Sequence, residues 1–309
     1  MKHTLAGYTG FVGGNLCATH SFDALYNSRN IEESFGAQNG LVVYSAMPSE
    51  KYLANADPAA DRAQAQQAFE NICRMRPERL VLISTVDVYP NPQGVNESTP
   101  LPVDESQPAY GQNRLLLEKW VREEMPRALI VRLPALYGNG LKKNFLYDAL
   151  TLVPTMLKTE KYEELEAASS SVADGYEAAK PGFYKVRQLN RQEKQELYDF
   201  FKQNDFNSLC FTDSRAVYQF YGLNRLWRDI ETCLKAELTT VNMAVEPLRA
   251  GEIFNKVFGK PFENHLSALP VQYDMRTCFA DVLGGSGGYV ETADEVLASI
   301  SDFVSGWRG

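Results

Sequence analysis

The sequence predicts an α/β protein: a doubly wound parallel sheet with a smaller C-terminal mixed α/β substrate lobe. Three observations carry this. Apolar, strand-like runs alternate with helical stretches over roughly the first 150 residues, the pattern of βαβ units with right-handed crossovers. Several runs, such as Leu41-Val42-Val43-Tyr44-Ser45-Ala46, are apolar without alternation, as expected of strands covered on both faces. The first strand also runs straight into a turn bearing three evenly spaced glycines.

Residues 2–6 are that first strand, and Gly7-Tyr8-Thr9-Gly10-Phe11-Val12-Gly13 is the turn. Gly7 permits a sharp strand-to-helix reversal, Gly10 lets the backbone approach a pyrophosphate, and Gly13 allows close packing of helix on strand. The helix that follows, from about Val12 to His20, presents free N–H groups and partial positive charge at its start. The turn, with Thr9, Phe11 and Val12, is therefore expected to cradle a dinucleotide on a Rossmann-type domain. A second strand reads over Phe22–Asn27, a third over Leu41–Ala46, and a long helix over 57–76 closed by Pro77. Leu80–Ile83 is another buried strand, Tyr110–Glu124 a second long helix and Ala128–Arg132 a further strand.

The alternation breaks after about 154. The expected division is a dinucleotide-binding domain over 1–154 and a region, 155–309, that is mostly substrate lobe, with some later segments returning to the sheet. An unusual insertion covers about 155–210. Within it Ala167–Gly182, rich in Ser, Ala and Gly, reads as a loop, and Asn190 with Glu193 reads as a capping box before a helix. Helices at 223–236 and 250–258, a strand at Thr239–Ala244 and a last helix over Ala293–Val304 complete the chain.

Composition narrows the function. A chain of 309 residues supports a full core and a second lobe. Its net charge of −8 argues against nucleic acid or an anionic membrane as partner. No run of apolar residues is long enough to span a bilayer, and residues 1–20 do not resemble a signal peptide. Five scattered cysteines without a C-x-x-C pair fit reduced thiols in the cytoplasm. The three histidines lack ligand spacing, so no metal site is expected.

Two further motifs carry chemistry. Ser84-Thr85-Val86-Asp87-Val88-Tyr89 follows a buried strand, and the C-terminal ends of parallel strands face the ligand crevice. Ser84 and Thr85 are thus candidate hydroxyls. Tyr110-Gly111-Gln112-Asn113-Arg114 opens a helix, where residues four apart share a face. A cation beside Tyr110 would favour its phenolate and lower its pKa, as a proton donor or acceptor near neutrality requires.

In these marks the chain resembles an extended short-chain dehydrogenase/reductase of the nucleotide-sugar epimerase/dehydratase branch. The resemblance runs from the first strand to about residue 150 and, more faintly, over 223–304. It rests on Gly7, Gly10 and Gly13, on Ser84-Thr85 before Val88-Tyr89, on Tyr110 with Glu118, and on Val131-Arg132-Leu133-Pro134-Ala135-Leu136-Tyr137-Gly138. Asp229-Ile230, Val241-Asn242 and Tyr273-Asp274 add short distal matches. The resemblance implies hydride transfer at a sugar carbon and a homodimer paired through two long helices. It gives Thr85 the role of polarising the substrate oxygen and Tyr110 that of general acid/base. Ala46 would lie along the cofactor, and Leu133 and Pro134 would flank the nicotinamide.

The sequence departs from the pattern in three places. Arg114 stands where the family has lysine; it can hydrogen-bond a nicotinamide ribose and depress the tyrosine, but does not readily release a proton. Asn27-Ser28-Arg29 replaces the acidic residue that NAD-specific members place after the second strand, and Arg29 could pair with a 2′-phosphate. NADP is therefore preferred over NAD. Val86 and Asp87 replace the Asp-Glu pair of dehydratases, which disfavours dehydration. The expected function is an NAD(P)-dependent oxidoreductase or epimerase of a nucleotide-linked sugar. A catalytically degenerate dinucleotide-binding sensor or scaffold, and a reductase of a small carbonyl compound, are the alternatives.

Overall fold

A computed structural model describes residues 1–101, 107–179 and 181–307. The chain forms two compact units. The first comprises Met1–Leu141, Val217–Leu248 and Gln272–Ile300; the second comprises Lys142–Ala216, Arg249–Val271 and the chain from Ser301.

The first unit is built on six strands: β1 (His3–Ala6), β2 (Ala24–Tyr26), β3 (Leu41–Tyr44), β4 (Arg79–Thr85), β5 (Leu129–Leu133) and β6 (Thr240–Asn242). Their order is β2-β1-β3-β4-β5-β6, with every neighbouring pair parallel. All residues of β3 and β5 are buried, which explains the unbroken apolar run of β3; in β5 the run is interrupted by Arg132, which is paired with Glu118. The order reverses between β1 and β3, and such sheets open their ligand crevice at that switch point, beyond the strand C-termini. β2 is shorter than the expected Phe22–Asn27. The Asp23 carboxylate, not a backbone carbonyl, accepts the His3 N–H at 2.7 Å, and Asn27 accepts the Arg29 N–H at 2.9 Å in a turn, so the regular ladder stops short at both ends.

Four helices complete the part of this unit that frames the crevice: α1 (Phe11–Thr19), α2 (Lys51–Ala56), α3 (Pro58–Met75) and α4 (Ala109–Glu124). Asp57 caps α3 by accepting the Ala60 N–H at 3.0 Å, Pro58 sits at its first position, and Arg76 ends it in the left-handed region ahead of Pro77. α3 and α4 pack side by side. Ala65, Ala68 and Ile72 of α3 join Leu117 and Val121 of α4 in one core with Val42, Leu80 and Ile130 of the sheet.

At the end of α1 the His20 ring stacks on Trp227, with centroids 3.7 Å apart, and lies 2.9 Å from the His3 ring nitrogen. Burial lowers the His20 pKa, His3 lowers it further, and Glu231 and Asp23 oppose them without prevailing. The folded protein therefore favours neutral His20, while the unfolded chain takes up the proton more readily. This contribution is present above the ordinary histidine value of 6.5 and is lost as pH falls below it. Urea midpoints should drop between about pH 7.5 and 5.5, and less steeply in His20→Gln. Equal slopes in the two proteins would show that His20 contributes nothing.

The second unit contains a three-stranded antiparallel sheet in the order Met156–Lys158, Phe183–Val186, Tyr176–Ala178. Its core joins Leu157, Leu165, Val172, Tyr176, Leu197 and Phe201. The Asn190–Glu193 capping box is present at the start of helix Arg191–Gln203. The stretch expected as a loop over Ala167–Gly182 instead holds helix Ser170–Gly175 and strand Tyr176–Ala178; Lys180 lies outside the described residues. Both elements are too short for periodicity to reveal. They form because Val172 and Tyr176 are buried and because Gly175, lacking a Cβ, admits the Leu197 side chain. Among the described residues no helix is long and apolar enough to cross a membrane.

Candidate active site

The glycine turn has the geometry its sequence demands. Gly7 adopts φ +94°, and a Cβ there would lie 2.7 Å from the Ser45 carbonyl, so the turn presses against the end of β3 beside Ala46. A Cβ on Gly13 would overlap the Gly7 carbonyl oxygen. Gly10 differs: its φ of −79° suits any residue, and a Cβ would meet only the Gly7 oxygen, at 3.3 Å. Nothing inside the protein requires glycine there so strongly as at Gly7 and Gly13. Gly10 is also the N-cap of α1, which has no side-chain cap and no acidic residue in its first turn. Its opening N–H groups are left for an anion. Thr9 is exposed and Phe11 and Val12 are partly exposed around this rim.

Across the turn, Asn27 follows β2, whose Tyr26 carbonyl accepts the Gly7 N–H at 2.7 Å. The Asn27 N–H donates to Asn30 at 2.8 Å, which with the Arg29 N–H bond fixes the loop. Ser28 and Arg29 are exposed at its tip.

The second part of the site lies where β4 ends. Thr85 stands opposite Leu133 in the β4–β5 register, with buried Pro134 next along the chain. The Thr85 hydroxyl donates to Asp87 at 2.9 Å. α4 reaches this point because Gly111 lacks a Cβ, which would overlap the Asp87 carbonyl oxygen. The Asn55 side chain accepts the Tyr110 N–H at 3.0 Å, and Gln107 donates to the Asp87 and Val88 carbonyls. Tyr110 is thereby held beside Thr85, whose hydroxyl acts on its phenol. A cavity of about 290 Å³ opens here, lined among others by Lys51, Asn55, Asp87, Tyr89, Tyr110 and Tyr273.

Arg114 is where the structure departs most from expectation. It is buried, at 4 % exposure, and so is Asp61 of α3. Its Nη1 donates to both Asp61 oxygens at 2.6 and 2.5 Å, and its Nη2 to the Pro48 carbonyl at 2.5 Å. Asn113 donates to the same carboxylate at 2.8 Å. The guanidinium lies 4.1 Å from the Tyr110 ring centroid, stacked on the ring. The expectation that this cation leaves Tyr110 with a lowered pKa is corrected: burial raises it, Arg114 pulls it down, Asp87 raises it, Lys51 and the Thr85 hydrogen bond lower it, and the net direction is up. Desolvation of a partly buried phenol outweighs a cation whose charge is already matched by Asp61.

Ser84 is a second correction. Neighbouring residues of a strand point to opposite faces, so with Thr85 at the crevice Ser84 turns inward and donates to Glu118 at 2.6 Å. Glu118 is gripped by Arg132 through Nε at 3.0 Å and Nη2 at 2.6 Å. Arg132 also donates to the Tyr89 hydroxyl at 2.7 Å, which accepts from Asn242 at 2.9 Å. Glu118, Arg132 and Asn242, matched as signatures in the sequence, thus form a buried brace behind the site. Val86 faces the core with Val88 and Leu115, whereas Asp87 faces the cavity.

Sequence reasoning missed Lys51, Asn55 and Asp61. Lys51 and Asn55 lie in a polar stretch with no motif, and Asp61 reads as an ordinary acid in the first turn of a helix.

A family model described as the RmlD substrate binding domain matches residues 17–165. The chain superposes on the dTDP-4-dehydrorhamnose reductase of Yersinia enterocolitica with a TM-score of 0.61 and 13% identity, over 98% of each chain. The fold is that of the extended short-chain dehydrogenase/reductases. A UDP-glucuronic acid 4-epimerase mutant from Bacillus cereus, in complex with UDP-4-deoxy-4-fluoro-glucuronic acid and NAD, superposes with a TM-score of 0.59 and 14% identity over 99% of each chain. The dTDP-4-dehydrorhamnose reductase of Bacillus anthracis, in complex with NADP, gives 0.60 and 14% over 99% of each chain. A search of curated proteins finds no match. Within this short-chain dehydrogenase/reductase fold the glycine turn, Thr85 and Tyr110 all stand at the C-terminal edge of one parallel sheet.

Proposed function

We propose that the protein is an NAD(P)-dependent oxidoreductase or epimerase acting on a nucleotide-linked sugar. The observation that carries this is the Thr85–Tyr110 hydroxyl pair, brought together at the strand ends of a sheet whose first turn is left open at Gly10. Reductases and epimerases of nucleotide sugars share this fold. Gly7 to Gly13 would hold the pyrophosphate, with Ala46, Leu133 and Pro134 lining the cofactor's path; a bound nicotinamide supplies or removes the hydride. Thr85 orients the substrate oxygen, and Tyr110 gives it or takes from it the proton. Val86 is buried and Asp87 is bound to Thr85 and Lys51. Neither is free to expel water, which favours reduction or epimerisation over dehydration.

NADP is the preferred cofactor in this reading. Arg29 is exposed beside the strand end that would receive the adenosine ribose, with no carboxylate at Asn27 or Ser28 to repel a 2′-phosphate. Arg29→Ala should weaken NADPH binding about tenfold, roughly 1.4 kcal/mol, and leave NADH unchanged in a fluorescence titration. Equal losses for both would remove the case for NADP. A cytoplasmic homodimer paired through α3 and α4 belongs to the same proposal, supported by five free cysteines and by the usual assembly of the family it resembles.

The test is turnover. Purified protein given NADPH or NAD with a panel of nucleotide sugars and their 4-keto derivatives should oxidise cofactor or interconvert sugars, read by absorbance and by NMR of products. Silence across the panel with cofactor bound would overturn the proposal. A second reading, a dinucleotide sensor without catalysis, draws on the locking of Arg114 by Asp61, and it predicts that silence.

A further inference from the structure

We propose that Lys51, on α2, is a second cation that supports ionisation of Tyr110 beside the helix residue four positions on, and that its ion pair with Asp87 sets how strongly it does so. This rests on reading Tyr110 as the acid/base group. A tyrosine that gives its proton to a substrate oxygen is left as a phenolate, and a nearby cation must face that charge until solvent returns the proton.

Arg114 is the nearer cation, but its guanidinium lies over the ring face and is already paired with the Asp61 carboxylate, 2.5 Å away and equally buried. Lys51 is differently held. Its Nζ lies 5.8 Å from the Tyr110 ring centroid, and its side chain is half-exposed, so the flexible stem can bring the ammonium closer. Its charge also acts on the Tyr273 phenol, which lines the same cavity.

The partner matters as much. Both Asp87 oxygens approach Lys51, at 2.7 and 2.6 Å, and one also accepts from Thr85, which lies beside Tyr110. Lys51, Asp87 and Tyr110 line a single cavity, with Thr85 bound to Asp87. The charged and titratable groups facing Tyr110 are Lys51 from α2, Asp61 from α3 acting through Arg114, Arg114 from α4, and Asp87 from the segment after β4; Tyr273 faces Lys51. Of the two cations, only Lys51 has a partner that itself lines the cavity. Movement of Asp87 toward a substrate hydroxyl would release the Lys51 charge to the phenol.

The experiment follows Tyr110 directly, in the full chain without cofactor or substrate. Tyrosine labelled with ¹³C at Cζ reports phenol ionisation by NMR, and the Tyr110 signal is assigned by its disappearance in Tyr110→Phe. Asp87→Asn should lower the Tyr110 midpoint by about one pKa unit or more, and Lys51→Met should raise it similarly. Adding Lys51→Met to Asp87→Asn should reverse the fall, while Lys51→Arg should stay near the wild type. A fall that persists undiminished in the double variant overturns the proposal, as does an Asp87→Asn midpoint that does not fall. Because no substrate enters the titration, this outcome is independent of whether nucleotide sugars are turned over.

Discussion

Arg114→Met should lower the free energy of unfolding by about 3–5 kcal/mol, read as a shift in the urea transition. The size follows from what remains behind. Asp61 is 4 % exposed, and without the guanidinium it keeps only the Asn113 amide and no positive partner. Stranding a buried carboxylate costs far more than the intact pair contributes. Arg114→Lys should also destabilise, though less, because an ammonium cannot span Asp61 and the Pro48 carbonyl as the planar fork does. Replacing both partners, Arg114→Met with Asp61→Leu, should recover most of the loss. If Arg114→Met costs under about 1 kcal/mol, the pair is not structural and Arg114 returns as a candidate ribose contact.

Tyr110→Phe should reduce turnover by a factor of about 10²–10⁴ while leaving NADPH affinity and the melting temperature near the wild-type values. The phenol lies beside Thr85 and lines the cavity, and its ring packs on Arg114, so phenylalanine keeps the packing and loses only the hydroxyl. Equal turnover in the two proteins would assign the proton to another group and favour the sensor reading.

Most of the scaffold was legible because its signals are local. A glycine turn after a strand and apolar runs without alternation name the sheet and its first turn, and β3 is buried throughout, as its composition requires. The Asn190–Glu193 capping box was readable for the same reason. What escaped depends on contacts far apart in sequence. Its spacing makes Arg114 a cation one helical turn from Tyr110 that could reach a ribose, and only Asp61, 53 residues away, turns it into a buried strut. Ser84 and Thr85 look equivalent until strand geometry sends one to Glu118 and the other to the crevice. The direction of the Tyr110 shift depends on burial, which spacing does not express. Lys51 became visible only when α2 was placed against the end of β4 and the start of α4.

The central claim is that a nicotinamide dinucleotide sits on the turn at Gly10. Calorimetric titration of NADPH and NADH into wild type, Gly10→Ala and Gly13→Ala tests it most directly. Gly13→Ala should destabilise the protein, since its Cβ would overlap the Gly7 carbonyl. Gly10→Ala should melt close to the wild type yet lose NADPH affinity about a hundredfold, roughly 2.7 kcal/mol, because its Cβ would meet the protein only at the Gly7 oxygen, 3.3 Å away, and would stand where this reading puts the pyrophosphate. Wild-type affinity in a folded Gly10→Ala, or no binding of either dinucleotide to the wild type, would contradict the account.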